Sequence, residues 1–163
     1  ELLRRLARPH DGVLGFVPGV AGMHDIDDYP QARLVPGLVV YRYDAPLCFA
    51  NAEDFRRRAL AAVEAAAAPA RWFLLNAEAN VEVDSTAVDA LEVLCAELRR
   101  RGVVFAMARV KQDLRDQLAR ARFVDTVGKD RIFMTLPTAV AAYRRWHTQQ
   151  IGPLPDDGPG PAS

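Results

Sequence analysis

The chain has 163 residues, half of them hydrophobic, a length and composition that suit one globular domain with a sizeable core. Lys plus Arg and Asp plus Glu both total 21, so no global field recruits nucleic acid, and none is expected as a partner. No run approaches the roughly 18 apolar residues that cross a bilayer, and the only cysteines, Cys48 and Cys95, sit where Cys behaves as a small buried hydrophobe, which fits a reducing compartment.

The first residues, Glu1 followed by Leu2-Leu3-Arg4-Arg5-Leu6-Ala7-Arg8, read equally as a solvated helical turn or as the arginine-rich cytoplasmic flank of a membrane helix. On the second reading residues 1–12 are a juxtamembrane linker. Gly12 to Val17 has the short apolar character of a strand, and a Gly- and Asp-rich loop runs from there to Pro36. Gly37 to Tyr43 is the strongest strand, β-branched and aromatic, and Asp44-Ala45-Pro46 turns it into a second short strand, Leu47-Cys48-Phe49, as a hairpin. Asn51 is placed to cap a helix, with Asp54 at the capping-box position and Phe55, Ala59, Ala62 and Val63 as its apolar stripe.

Arg71 to Ala77 has a continuous apolar centre, the mark of a strand covered on both faces. Val88, Leu91, Leu94, Cys95 and Leu98 then follow helical spacing, with Asp84 or Ser85 as the cap and Gly102 as the stop. The pattern repeats as a buried strand over 103–108, a helix over 112–122 and an edge strand over 131–134. A last helix follows Pro137 to about His147, and residues 151–163 form a Pro/Gly-rich tail. Strands alternating with helices imply right-handed crossovers, so the class is α/β: a central mixed, mostly parallel sheet with an antiparallel hairpin at the front and about four helices, the folded domain spanning 13–150.

Catalysis of the common kinds needs clustered groups, and His10, His24 and His147 fall apart, in loops and the last helix. Met23 to Asp28 gathers a histidine and three carboxylates, but lacks the alternation and closing glutamate of a calcium loop, so it reads as a solvated acidic loop. No nucleophile elbow, Walker lysine motif or dinucleotide glycine fingerprint is present. The reading is therefore that the chain is not an enzyme and requires no metal or cofactor.

One junction stands out: Val81 to Ala87, the loop and first helical turn at the carboxyl side of a central strand, where open α/β sheets bind ligands. Free N–H groups and the helix dipole favour an anion there, and the hydroxyls of Ser85 and Thr86 are candidate phosphoacceptors. Glu78, Glu82 and Asp84 crowd the site with negative charge, which Arg109 and Lys111 at the end of the next strand would offset.

Three stretches resemble the STAS domain, the sulfate-transporter and anti-sigma-factor-antagonist fold. Val39 to Phe55 is similar to the hairpin and first helix of STAS domains at the C-terminus of SulP-type anion permeases. Gly15 to Gly19 with Asp25 to Pro30 resembles their linker and first strand, and Asp84-Ser85-Thr86-Ala87 with Ala90-Leu91 their helix-opening motif. The resemblance implies a regulatory tail on the cytoplasmic face of the cell membrane, with the transmembrane domain of the same sulfate or anion transporter as its partner, and a regulatory protein as a further one. It also implies a nucleotide ligand, GTP, GDP or ATP, near Asp84, Ser85, Thr86 and Ala87 with help from Asn51, Arg109 and Lys111. In anti-sigma-factor antagonists a serine in the matching turn is phosphorylated. That position is Thr86 here, and Ala87 replaces the glycine after it, which favours the permease branch over a free-standing antagonist switched by phosphorylation.

Overall fold

The structure is a computed structural model and describes residues 1–155. In chain order it contains helix α1 (Leu2–Ala7), strands β1 (Asp11–Phe16), β2 (Met23–Asp25) and β3 (Leu38–Tyr43), helix α2 (Ala52–Glu64), strand β4 (Trp72–Asn76) and helix α3 (Ser85–Arg100). Strand β5 (Val104–Ala108), helices α4 (Gln112–Arg120) and α5 (Phe123–Val127), a 3-10 turn at Lys129–Arg131, strand β6 (Ile132–Phe133) and helix α6 (Leu136–Gln150) follow. The strands form one sheet in the order β2-β1-β3-β4-β5-β6. β1 is antiparallel to both β2 and β3, and the rest pair in parallel, with Leu75 lying between Tyr41 and Met107.

Alternation along the strands divides the core. Val39, Tyr41, Tyr43, Phe73, Leu75, Phe105 and Met107 face α2, α3, α4 and α5, whereas Leu38, Val40, Trp72, Leu74, Ala106 and Ala108 face α6. All five residues of β4 are buried, which is why that segment carries no alternation of polarity. Burying side chains such as Phe55, Phe73 and Leu91 contributes about 1.5–3 kcal/mol each. Phe73 stacks on Phe105 with centroids 5.8 Å apart, and Tyr43 meets Phe55 edge-on at 5.3 Å.

The α/β class and the mixed sheet hold, with corrections to the elements. Residues 47–49 do not form a hairpin with β3: Leu47 makes a single parallel bridge to Val83, and the antiparallel part of the sheet is β2-β1-β3 instead. Three residues of the acidic loop pair with β1 as β2, a strand too short to leave a periodic signal. The described residues hold six α-helices rather than about four, the additions being α1 and α5, of six and five residues. Asn51 occupies the N-cap position of α2 without capping it through its side chain, and Asp54 turns to Tyr43 and Arg58 rather than back to the helix start. α6 begins at Leu136, capped by Thr135, and runs three residues past His147. Of the expected 151–163 tail, Leu154 packs on the α6 side of the core, and residues 156–163 lie outside the described residues. β1 begins at Asp11, inside the segment expected as linker.

Gly37 is fixed by two constraints. Its φ of +81° lies in the left-handed region, and a Cβ there would stand 2.5 Å from the Tyr143 hydroxyl. That hydroxyl donates to the Pro36 carbonyl at 2.6 Å, tying α6 to the entry of β3.

Candidate functional site

The parallel strands all end on one edge, and the loops after β3 and β4 meet there. Leu47 N–H donates to the Glu82 carbonyl (3.1 Å) and Asp84 N–H to the Leu47 carbonyl (3.3 Å), which zips the two loops together. The buried Asn80 amide donates to the carbonyls of Tyr43 and Ala45 at 2.9 and 2.7 Å, closing the same joint from below.

α3 starts at this joint. Asp84 caps it, one carboxylate oxygen accepting the Ala87 N–H at 2.8 Å, while the other accepts the N–H of Phe49 at 2.8 Å. Ser85 and Thr86 are exposed on the first turn and Ala87 is buried beneath them. Ser85 and Thr86 thus lie at the open start of a 16-residue helix on the carboxyl edge of the sheet.

The other predicted residues are dispersed around this point. Arg109 follows β5 in a left-handed conformation, φ 57°, and its guanidinium donates to Glu78 at 2.7 Å, so a bound phosphate must compete with that carboxylate. Lys111 is exposed just ahead of α4. Asn51 is only 1% exposed: its amide donates to the carbonyls of Leu6 and Pro46, both at 2.9 Å, and accepts the Cys48 N–H at 3.0 Å. With every amide position engaged, Asn51 shapes the loop beside the site from underneath.

Sequence reasoning missed Gln117 and Arg120 of α4. Gln117 accepts the Val83 N–H at 3.2 Å, and with Arg120 it lines two adjoining open hollows of about 330 and 510 Å³ between α4 and the start of α3. Glu82, Asp84, Asp89, Asp113 and Asp116 also line them, so Arg120 is outnumbered. No local pattern marks Gln117 and Arg120, because the role of Gln117 is a contact to a loop 34 residues earlier in the chain.

The three histidines each have a separate partner. His10 meets Asp25 at 3.2 Å on the antiparallel side, His24 meets the Ala21 carbonyl and His147 the Gly152 carbonyl. Among the described residues no three His, Cys, Asp or Glu side chains gather as a metal site, and no helix is long and apolar enough to cross a membrane. Burial pushes the Cys95 thiol up to about 12, assisted by Glu92 and opposed by Arg99, so it is a protonated packing group at neutral pH.

A six-stranded mixed sheet, antiparallel over β2-β1-β3 and parallel beyond, with α-helices on both faces, defines a small α/β domain. A family model described as STAS domain matches residues 29–139, and the chain belongs to that family. It is 73% identical over 145 residues to "Probable sulfate transporter Rv1739c" of Mycobacterium tuberculosis, covering 89% of this chain and 26% of that protein. It is 35% identical over 152 residues to "Low affinity sulfate transporter 3" of Stylosanthes hamata, covering 87% and 24%. The chain thus spans about a quarter of the length of these relatives. In fold it is similar to part of the murine Slc26a9 anion transporter, with a TM-score of 0.81 at 18% identity over 88% of this chain and 24% of that one.

Proposed function

We propose that this domain is the cytoplasmic regulatory and interaction domain of a SulP-type sulfate or related anion permease, with the transmembrane domain of the same polypeptide as its partner. The names of the relatives support the transporter context. The observation that carries the regulatory reading is the exposed pair Ser85 and Thr86 on the first turn of α3, at the sheet edge where α/β folds present ligands. On this reading the domain is read by partners and is not a catalyst.

The finer part of the proposal is a nucleotide, GTP, GDP or ATP, with its phosphates on the free N–H groups of the α3 start and Arg109 and Lys111 at its flank. Titration of each nucleotide against backbone amide shifts tests it: Ser85, Thr86 and Ala87 are expected to move first, and a silent first turn at millimolar nucleotide overturns the ligand. The exposure of both hydroxyls also favours a second reading, a free-standing antagonist switched by phosphorylation at Ser85 or Thr86. Membrane spans encoded ahead of Glu1 would exclude that reading.

A further inference from the structure

Helix α1 has six residues and buries none of them: Leu2 and Leu3 are 82% and 79% exposed, and only Leu6 packs against the core from outside. A helix so short is not stable by itself in water. Its order must therefore come from the few contacts that hold it. One is the Asn51 amide on the Leu6 carbonyl, across 45 residues of sequence; the next is Arg58, which grips the Pro9 carbonyl at 2.7 Å.

The Asn51 contact is the last step of a continuous bonded path. Ala87 N–H, in the first turn of α3, donates to Asp84, and Asp84 also holds Phe49 N–H. Phe49 adjoins Cys48, whose N–H donates to Asn51, and Asn51 donates to Leu6. Each link lies between 2.8 and 3.0 Å. Asp84 has one oxygen for each end, so anything that draws its carboxylate away from Phe49, or repels it, releases the Phe49–Asn51 turn on which α1 hangs.

We propose that Asn51 is a positioning residue that couples the start of α3 to α1, so that a negative group arriving at Ser85 or Thr86 changes the hold on the arm preceding the sheet. The regulatory importance of this coupling rests on the function proposed above; the coupling itself does not need a ligand. A phosphoryl group one or two residues from Asp84 repels its carboxylate. The Phe49 N–H is then released, the 48–51 turn relaxes, and the Asn51 amide loses its alignment with Leu6.

The test is 15N relaxation on the ligand-free chain. In the wild type the amides of Leu6, Ala7 and Arg8 are expected near the rigid value of about 0.85, and in Asn51→Ala to fall toward about 0.6. Asp84→Ser keeps a cap for Ala87 but has no second oxygen for Phe49, so it should loosen the same three amides while α3 stays intact. Thr86→Glu should loosen them as well, and should add nothing in the Asn51→Ala background. A released Phe49 amide in Asp84→Ser with Leu6 to Arg8 unchanged overturns the coupling, as does an Asn51→Ala/Asp84→Ser double variant whose losses simply add. Should Asn51→Ala fail to fold, the Asp84→Ser and Thr86→Glu results decide alone. Nucleotide titration can fail without touching these outcomes, which separates this coupling from the ligand proposal.

Discussion

The carboxylate of Asp84 accepts the backbone N–H of Phe49, 35 residues earlier in the chain, at 2.8 Å, so one side chain serves both as a helix cap and as a clasp between two loops. A residue acting only as a cap costs about 1 kcal/mol when replaced by alanine. Asp84→Ala is expected to cost about 1–2 kcal/mol, since the exposed Phe49 N–H recovers part of its loss from water. Asp84→Ser should recover roughly half. Urea midpoints for the two variants check this, with the slope expected to stay constant.

Thr86→Glu is expected to leave the unfolding free energy within about 0.5 kcal/mol of wild type, because the side chain is exposed and the attraction of the helix start for an acid offsets its repulsion of Asp84. Its effect should appear in binding to nucleotide or to the transmembrane partner, measured by calorimetry. A large loss of stability with unchanged binding would move the functional surface elsewhere.

Acid should unfold the domain partly through Asp54. Burial alone would raise this carboxyl, but hydrogen bonds from Tyr43 and Arg58 outweigh it and hold it below the ordinary carboxylate range. A depressed folded value means the contribution is fully present above the unfolded pKa of about 3.9 and is lost as pH falls through the folded value. Asp54→Asn should therefore flatten the stability curve below about pH 4 and lower the plateau at pH 7 by on the order of 1 kcal/mol. Thermal melts of both proteins between pH 2 and 7 are the measurement.

The two thiols should separate cleanly in alkylation. Cys48 is half-buried in the loop after β3, whereas Cys95 lies in the core under α3 with its thiol held protonated. Iodoacetamide at pH 8 is expected to label Cys48 alone in the native state, and both residues in denaturant, by peptide mass spectrometry. Native labelling of Cys95 at a comparable rate would mean that α3 opens readily.

Gly37→Ala should cost about 2–3 kcal/mol, combining a left-handed backbone with the contact to the Tyr143 hydroxyl. Tyr143→Phe removes that hydroxyl along with its bond to Pro36. The double variant should therefore cost less than the sum of the two single ones, by roughly 1 kcal/mol. Denaturant midpoints for the cycle decide it.

How much of this was readable in advance depended on the range of the interactions involved. α3 announced itself through Leu91, Leu94 and Leu98 with Asp84 ahead and Gly102 behind, because periodicity and capping are local. β4 did so through Trp72 to Leu75, and with those two elements placed, the carboxyl-edge position of Ser85 and Thr86 followed from topology. Leu47-Cys48-Phe49 looked like a strand because it is apolar, yet Phe49 is 78% exposed and the segment is held by one bridge to Val83, a partner no local pattern could name. Asn51 matched a cap by type and position, and only the fold brings the Leu6 carbonyl within its reach. The Gln117 and Arg120 contribution was hidden for the same reason, since it depends on how α4 lies beside the 81–83 loop.

The two outermost strands of the sheet are also its shortest, β2 with three residues and β6 with two. Each outermost strand therefore offers only a short row of main-chain donors and acceptors, a small template on which a neighbouring copy could add strand to strand. Contacts between copies along these two outermost strands would then fall mainly to side chains, where single substitutions can tune them.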